Sequence, residues 1–325
     1  MAHQPFKVLV TEPIPDKVIS YLEEYAEVHI GKKSEFQEEE NLKKAIPKYD
    51  ALLCMLSNPI SKSVLEAGSN LKIVANFAVG YNNIDIEAAR SLNIKVANTP
   101  DVLTEACGDF AMGLLMAVTR RFNEAERYLK EGRFTGWEPL GFLGMELRGK
   151  TLGIVGMGRI GQSFAHRAKA FGMNIAYHNR SPVSSATEKE LNAKYITSLE
   201  ELATTSDVLS LNCPLTEETH HLIGDDIFKI MPSHSVLINI SRGPVVDESA
   251  LANALTSNNI AGAGIDVFEE EPKVHPKLLA APNCILLPHI ASATFETREA
   301  IGLLASKAIV SVLSGKADNS IPNLI

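Results

Sequence analysis

The sequence predicts an α/β protein built of two doubly wound parallel-sheet domains, the second inserted into a discontinuous first. Short runs rich in β-branched residues alternate with helical stretches almost from end to end. Those runs are continuously apolar, the pattern of parallel strands covered on both faces, whereas half-exposed strands alternate apolar and polar positions. At 325 residues the chain also exceeds what one core accommodates.

In the first block, Lys7–Thr11, Val28–Gly31, Ala51–Leu56, Lys72–Phe77 and Ile94–Asn98 read as strands, with Pro15–Glu24 and Ser61–Ala67 as helices between them. This is a small, flavodoxin-like doubly wound unit. One long helical stretch follows, from about Asp101 to Glu131, with Leu114, Leu115 and Met116 in its middle. Its length suits a crossing between domains or a subunit contact. Gly132–Lys150, Gly-rich and containing Trp137 and Pro139, reads as an irregular linker. A second series then supplies Thr151–Val155, Asn174–His178, Val208–Asn212, Val236–Ile240, Ala263–Val267 and Cys284–Leu287, the six strands of a Rossmann sheet. The final helix, roughly Thr294–Ser314, completes the first block and makes that domain discontinuous.

Hydrophobic residues at 45% and charged residues at 22% supply a large core under an ordinary surface. A net charge of −8 argues against nucleic acid or an anionic membrane as partner. Cys54, Cys107, Cys213 and Cys284 are scattered and form no CxxC pair, so neither a zinc site nor a redox dithiol is expected, and a cytoplasmic setting fits. Met1–Lys7 lacks the basic start and apolar run of a secretion signal, and no apolar run is long enough to span a bilayer.

Gly156-Met157-Gly158-Arg159-Ile160-Gly161 is a GxGxxG between an apolar strand and the amphipathic stretch Gln162–Phe171. In that setting the first glycine makes the tight turn, the second admits a pyrophosphate to the backbone, and the third lets helix and sheet pack. The helix N-terminus offers unpaired N–H groups and a positive dipole end to phosphates. The next strand ends in Asn179-Arg180-Ser181, where an NAD-selective site carries Asp or Glu for the ribose 2′-OH. Asn179 does not repel a 2′-phosphate, Arg180 pairs with one, and Ser181 adds a donor, so NADP(H) is expected in preference to NAD(H).

Three further segments fall at predicted strand ends: Ser241-Arg242-Gly243, the acidic run closing on Glu271-Pro272, and Pro288-His289-Ile290-Ala291-Ser292. Parallel sheets bind ligands at that edge. Carbonyl reduction needs these residue types. An Arg fork holds a carboxylate, a His gives the proton that a developing alkoxide needs, and a carboxylate beside the His favours its protonated form. Taken singly, each has a plainer explanation: a surface Arg, a solvated Glu, a structural His. Their joint placement behind the nucleotide fingerprint is what points to catalysis.

The chain resembles the D-isomer-specific 2-hydroxyacid dehydrogenase family, most closely its glyoxylate/hydroxypyruvate reductase branch. The likeness covers nearly the whole chain: Asn76–Asp85, Leu147–Gly153 with the fingerprint, Ile240–Gly243, Asp266–Pro272 and Leu287–Thr294. The resemblance implies NADPH-dependent reduction of a small 2-oxo acid to the D-2-hydroxy acid. Arg242 would anchor the substrate, His289 would be the acid/base and Glu271 its partner. It implies that the Val79–Gly80 backbone receives the substrate carboxylate, with Ser292 nearby. Asp266 would lie near the nicotinamide amide, and Thr104, Cys213, Pro214 and Ile240 would line the cofactor cleft, which Arg242 and His289 also reach. The substrate domain would be residues 1–98 with 292–325 and the NADP(H) domain 99–291, hinged near 98 and 291, in a homodimer. Trp137 either packs in the core or reaches the neighbouring subunit's pocket. Two alternatives remain at this stage: an NAD-dependent dehydrogenase of another D-hydroxy acid, and a nucleotide-sensing, corepressor-like binding protein. The formate-oxidising branch pairs its His with Gln, which Glu271 argues against. His220 and His221 are adjacent and expected to face different directions, so no metal site is expected.

Overall fold

The computed structural model describes residues 6–316 and 323–325; of the segment read as lacking a secretion signal, Met1–Pro5 lie outside the described residues. The chain divides into two compact units, Met1–Leu103 with Ala293–Ile325, and Thr104–Ser292.

The first unit holds β1 (Phe6–Val10), β2 (Ala26–Ile30), β3 (Ala51–Cys54), β4 (Ile73–Asn76) and β5 (Lys95–Ala97). They are ordered β2-β1-β3-β4-β5, every pair parallel. This is the flavodoxin-like order, reversing direction between β1 and β3. Central β3 and β4 are buried throughout, whereas edge strand β2 is largely exposed. The helix Phe295–Leu313 returns from the far end of the sequence to pack on β3, β4 and β5 and on the helix Asp16–Glu23. Discontinuity therefore has a cause: without that helix, one face of this sheet would lose its apolar cover.

The second unit holds β6 (Thr151–Val155), β7 (Asn174–His178), β8 (Ala193–Tyr195), β9 (Val208–Leu211), β10 (Val236–Asn239), β11 (Gly262–Ile265) and β12 (Cys284–Leu286). Their order is β12-β11-β10-β9-β6-β7-β8, again all parallel. Counted from β6, this is the Rossmann order with one strand added beyond the sixth. The sheet has seven strands, not the expected six. The strand that the sequence did not announce is β8, third of the Rossmann order, whose three residues include Lys194 and lie at the edge, so it shows no apolar run. Leu209, Leu211, Leu237, Ile265, Phe228 and Leu251 form part of this unit's core.

The stretch expected as one long helix is two, Thr104–Thr119 and Phe122–Lys130. Between them Arg121 takes a left-handed φ of 55°. The Thr119 carbonyl, orphaned by the break, accepts the Met145 N–H at 2.9 Å, and Arg121 forks onto Glu124 at 2.8 and 2.7 Å. Among the described residues no helix is long and apolar enough to cross a membrane.

Candidate active site

Every strand of the seven-stranded sheet runs in one direction, so the residues after each strand meet at a single edge. Gly156 follows β6, Asn179 follows β7, Cys213 lies just past β9, Ile240 follows β10, Asp266 follows β11, and His289 lies just past β12. All the expected residues of this unit that close a strand thus share the edge where such sheets bind ligands.

The glycine turn meets each requirement of a dinucleotide loop. Gly156 has φ +97°, and a side chain there would lie 2.6 Å from Cys213 N. Gly161 packs against the Gly156 carbonyl, which a Cβ would approach to 2.4 Å. Gly158 caps the helix Arg159–Ala170, and a Cβ on it would meet nothing within 4 Å. The turn is therefore closed toward the sheet and open in front of the helix N-terminus, where a pyrophosphate would sit, with Arg159 and Ile160 opening the helix. Arg167, further along that helix, grips Asp109 (2.6 Å) and Glu105 (2.9 Å), tying it to the helix that Thr104 begins. Sequence reasoning drew nothing from Asp109; its role is this clamp.

At the adenosine end, Asn179 does more than leave room. Its Oδ1 accepts the Met157 N–H at 2.7 Å, so it holds the glycine turn, while Tyr195 Oη donates to its carbonyl at 3.0 Å. Arg180 and Ser181 beyond it are exposed. Asn212 and Cys213 border the turn from β9, and Pro214 follows them in the chain. Burial pushes the Cys213 thiol up to about 11, so it is a wall, not a nucleophile.

Arg242 projects from a fixed backbone. Asn239 Oδ1 accepts from the Ser241 N–H (3.0 Å) and hydroxyl (2.8 Å), and Asn239 Nδ2 donates to the Arg242 carbonyl (3.1 Å). The guanidinium gives one bond, at 2.7 Å, to the Ser241 carbonyl, and among the described residues no carboxylate is ion-paired with it. Burial draws it below its ordinary value, and the charge of Glu271 opposes that shift. It remains protonated, with donors to spare for an anion.

His289 and Glu271 form a pair: Nδ1 lies 2.9 Å from Oε2 and 3.1 Å from Oε1. Burial pushes the Glu271 carboxyl up, but the His289 hydrogen bond and charge, the Phe268 N–H and the Arg242 charge outweigh it, so Glu271 lies below its usual value. A carboxylate kept ionised accepts from Nδ1–H, leaving Nε2 as the nitrogen free to exchange a proton.

This geometry is braced by residues that the sequence singled out for other reasons or not at all. His289 sits at φ +55°, a left-handed conformation costing a non-glycine residue roughly 1–3 kcal/mol. Asp266, fully buried, holds the next turn by accepting the Ile290 and Ala291 N–H groups, each at 2.8 Å. Burial raises the Asp266 carboxyl, and those two N–H groups hold the rise in check. Glu248 accepts the Glu269 N–H (2.8 Å) and the His275 N–H (3.1 Å), while Glu269 accepts the Glu248 N–H (2.7 Å). The Arg242–Gly243 turn presses on this same segment, since a Cβ at Gly243 would lie 1.9 Å from the Phe268 carbonyl. His220 and His221 do not diverge as expected: their rings stack at 4.1 Å because His221 has φ +50°, outside any regular element. Ser292 follows the braced turn and is partly exposed. Val79 and Gly80 belong to the other unit, in the segment after β4.

Residues 112–291 match the family model described as the NAD-binding domain of D-isomer-specific 2-hydroxyacid dehydrogenases. The chain belongs to this family. The dehydrogenase is 45% identical to the glyoxylate reductase of Thermococcus litoralis, over 98% of this chain and 96% of that one. It is equally identical, 45%, to the glyoxylate reductase of Pyrococcus furiosus, over 98% and 95%. Among solved structures it resembles an NADPH-dependent glyoxylate/hydroxypyruvate reductase from Sinorhizobium meliloti in complex with NADP and malonate, with TM-score 0.87 and 36% identity over 99% of this chain and 97% of that one. The cofactor class of the dehydrogenase is therefore a nicotinamide dinucleotide, and the open glycine turn suits it.

Of the braces around His289, Asp266 is singled out in the sequence only by the resemblance, and for another place, near the nicotinamide amide. Glu248 reads as an ordinary first-turn helix acid, and its partner lies 21 residues on, so no local pattern reveals the pair.

Proposed function

We propose that this dehydrogenase reduces a small 2-oxo acid, glyoxylate or hydroxypyruvate, with NADPH, giving the D-2-hydroxy acid where a stereocentre forms. The observation that carries the reading is the Glu271–His289 pair at 2.9 Å, set on the same sheet edge as an Arg242 guanidinium with uncommitted donors. The nicotinamide, when bound, supplies the hydride. Arg242 takes the substrate's carboxylate and carbonyl oxygens on its fork. His289, protonated, gives the Nε2 proton to the carbonyl oxygen as it becomes a hydroxyl, and regains one from solvent. Glu271, ionised throughout, balances the imidazolium and keeps the ring oriented through Nδ1.

Preference for NADPH is supported by the absence of a carboxylate after β7 and by the exposed Arg180 there. A homodimer is supported by the apolar residues left exposed at Phe122, Leu129, Phe134, Trp137, Leu140 and Leu143. At 83% exposure Trp137 is not core, so contact with a partner subunit is the reading that remains. A reducing, cytoplasmic compartment suits the four free cysteines.

The test is to mix purified protein with NADPH or NADH and a panel of 2-oxo acids while following nicotinamide absorbance. Turnover faster with NADPH supports the reading; faster turnover with NADH overturns the cofactor preference. No turnover with any acid points to a nucleotide-sensing binding protein. His289→Ala is expected to lower kcat by about a hundredfold or more with NADPH affinity retained.

A further inference from the structure

We infer that Tyr177 and Tyr195 are positioning residues for cofactor choice: their hydroxyls hold the two ends of residues 179–183 and so present Arg180 and Ser181 to a 2′-phosphate. The inference rests on the proposed preference for NADPH and lies wholly within the second unit.

β7 and β8 are parallel neighbours in which Tyr177 lies opposite Tyr195, with ring centroids 5.3 Å apart. Past β7 the chain leaves the sheet, and the next helix, Ser185–Leu191, begins only after residues 179–183. Tyr195 Oη donates to the Asn179 carbonyl at 3.0 Å. Tyr177 Oη accepts the Val183 N–H at 3.0 Å and donates to Glu188 Oε1 at 2.6 Å. A hydroxyl therefore pins each end of the segment. Peptide planarity carries each bond one residue inward: fixing the Asn179 carbonyl fixes the Arg180 N–H, and fixing the Val183 N–H fixes the Pro182 carbonyl. Pro182 adds a locked φ and disfavours helical backbone at Ser181. Between the pins Arg180, Ser181 and Pro182 are all exposed, and among the described residues none of the three makes a hydrogen bond within the protein. The apex thus takes its position from the two tyrosines.

Packing alone does not account for these hydroxyls. Tyr177 is fully buried, and a Phe ring would fill the same space. A buried hydroxyl needs partners, and its two are one-way groups: a carboxylate only accepts and a backbone N–H only donates. The direction of the Tyr177 hydroxyl is thereby fixed. Burial first, then the Glu188 bond, pushes it up to about 12, so it stays a neutral donor. A strand of three residues at a sheet edge adds little core, and what β8 brings is Tyr195 in register with Tyr177. The hydroxyls act through the backbone of the segment, whereas Arg180 and Ser181 are the groups that would meet the phosphate. A cofactor without a 2′-phosphate makes no use of that apex, so the pins bear on NADPH and not on NADH.

Tyr195→Phe and Tyr177→Phe each remove a hydroxyl and keep the ring. Dissociation constants of NADPH and NADH are measured by nicotinamide fluorescence, and those of adenosine 2′,5′-bisphosphate and AMP by calorimetry. Each variant is expected to bind NADPH and the bisphosphate about fivefold more weakly, with NADH and AMP unchanged. A general lesion of the fold would weaken phosphorylated and unphosphorylated ligands alike and lower the melting temperature. Equal weakening of NADPH and NADH therefore overturns the inference, as does a folded variant whose NADPH affinity matches wild type. If Tyr177→Phe fails to fold, Tyr195→Phe decides. Failure of the underlying reading looks different, because wild-type protein would then bind NADPH no more tightly than NADH.

Discussion

Replacing Gly243 with alanine is expected to disable catalysis while leaving the cofactor turn intact. A Cβ at this position would lie 1.9 Å from both the carbonyl carbon and oxygen of Phe268, and 2.4 Å from Glu269 N. All three are backbone atoms, so no change of rotamer relieves the clash. Ordinary contact begins near 3.4 Å, and the segment bearing Arg242 must therefore move about 1.5 Å from the one leading to Glu271. A misplacement of about 1 Å among groups that hold or protonate substrate costs about a hundredfold. Gly243→Ala should thus lower kcat/KM by about a hundredfold or more. One methyl forced into a packed contact also costs about 1–3 kcal/mol, so the melting temperature should drop by several degrees. NADPH affinity, read by fluorescence titration, should change little, because the Gly156–Gly161 turn is formed by other strand ends. A folded Gly243→Ala protein with kcat/KM close to wild type would refute the idea that these two segments must keep their spacing.

Glu271→Gln should lower kcat by removing the charge that balances the imidazolium. It should also change the acid response. Glu271 titrates below its ordinary 4.5 when folded, so the stability it adds is fully present above that pH and is lost as pH falls through the lowered value. Melting temperature against pH should therefore show wild type losing its advantage over Glu271→Gln only on that acid side; an equal gap at every pH would contradict the assignment. Glu248→Gln puts an amide N–H where a backbone N–H needs an acceptor, and is expected to cost about 1.5–3 kcal/mol by denaturant unfolding and to lower kcat, with NADPH binding kept. Unchanged stability would show that the Glu248–Glu269 exchange braces nothing. Arg180→Ala should raise the KM for NADPH about tenfold and leave that for NADH near wild type, and an equal effect on both would remove Arg180 from 2′-phosphate recognition.

The sequence by itself determined the two parallel sheets, the nucleotide turn and the Arg242–Glu271–His289 set. These are local patterns: an apolar run marks a buried strand, and in a parallel sheet every strand end falls on the same edge, so a reactive residue after a strand is placed by its position alone. Tertiary structure decided what depends on meeting across the chain or on a single backbone angle. Edge strand β8 has no buried face to print an apolar run. The helix break at Arg121 and the stacked His220 and His221 follow from left-handed φ values that no side-chain pattern announces. Asn179 on Met157, Asp266 on the His289 turn, Glu248 with Glu269, and Asn76 and Asn98 on the segment after β4 are answers to which buried N–H or carbonyl needs a partner. That demand arises only once distant segments are packed out of water, and so it is settled by the fold and not by the neighbours in sequence.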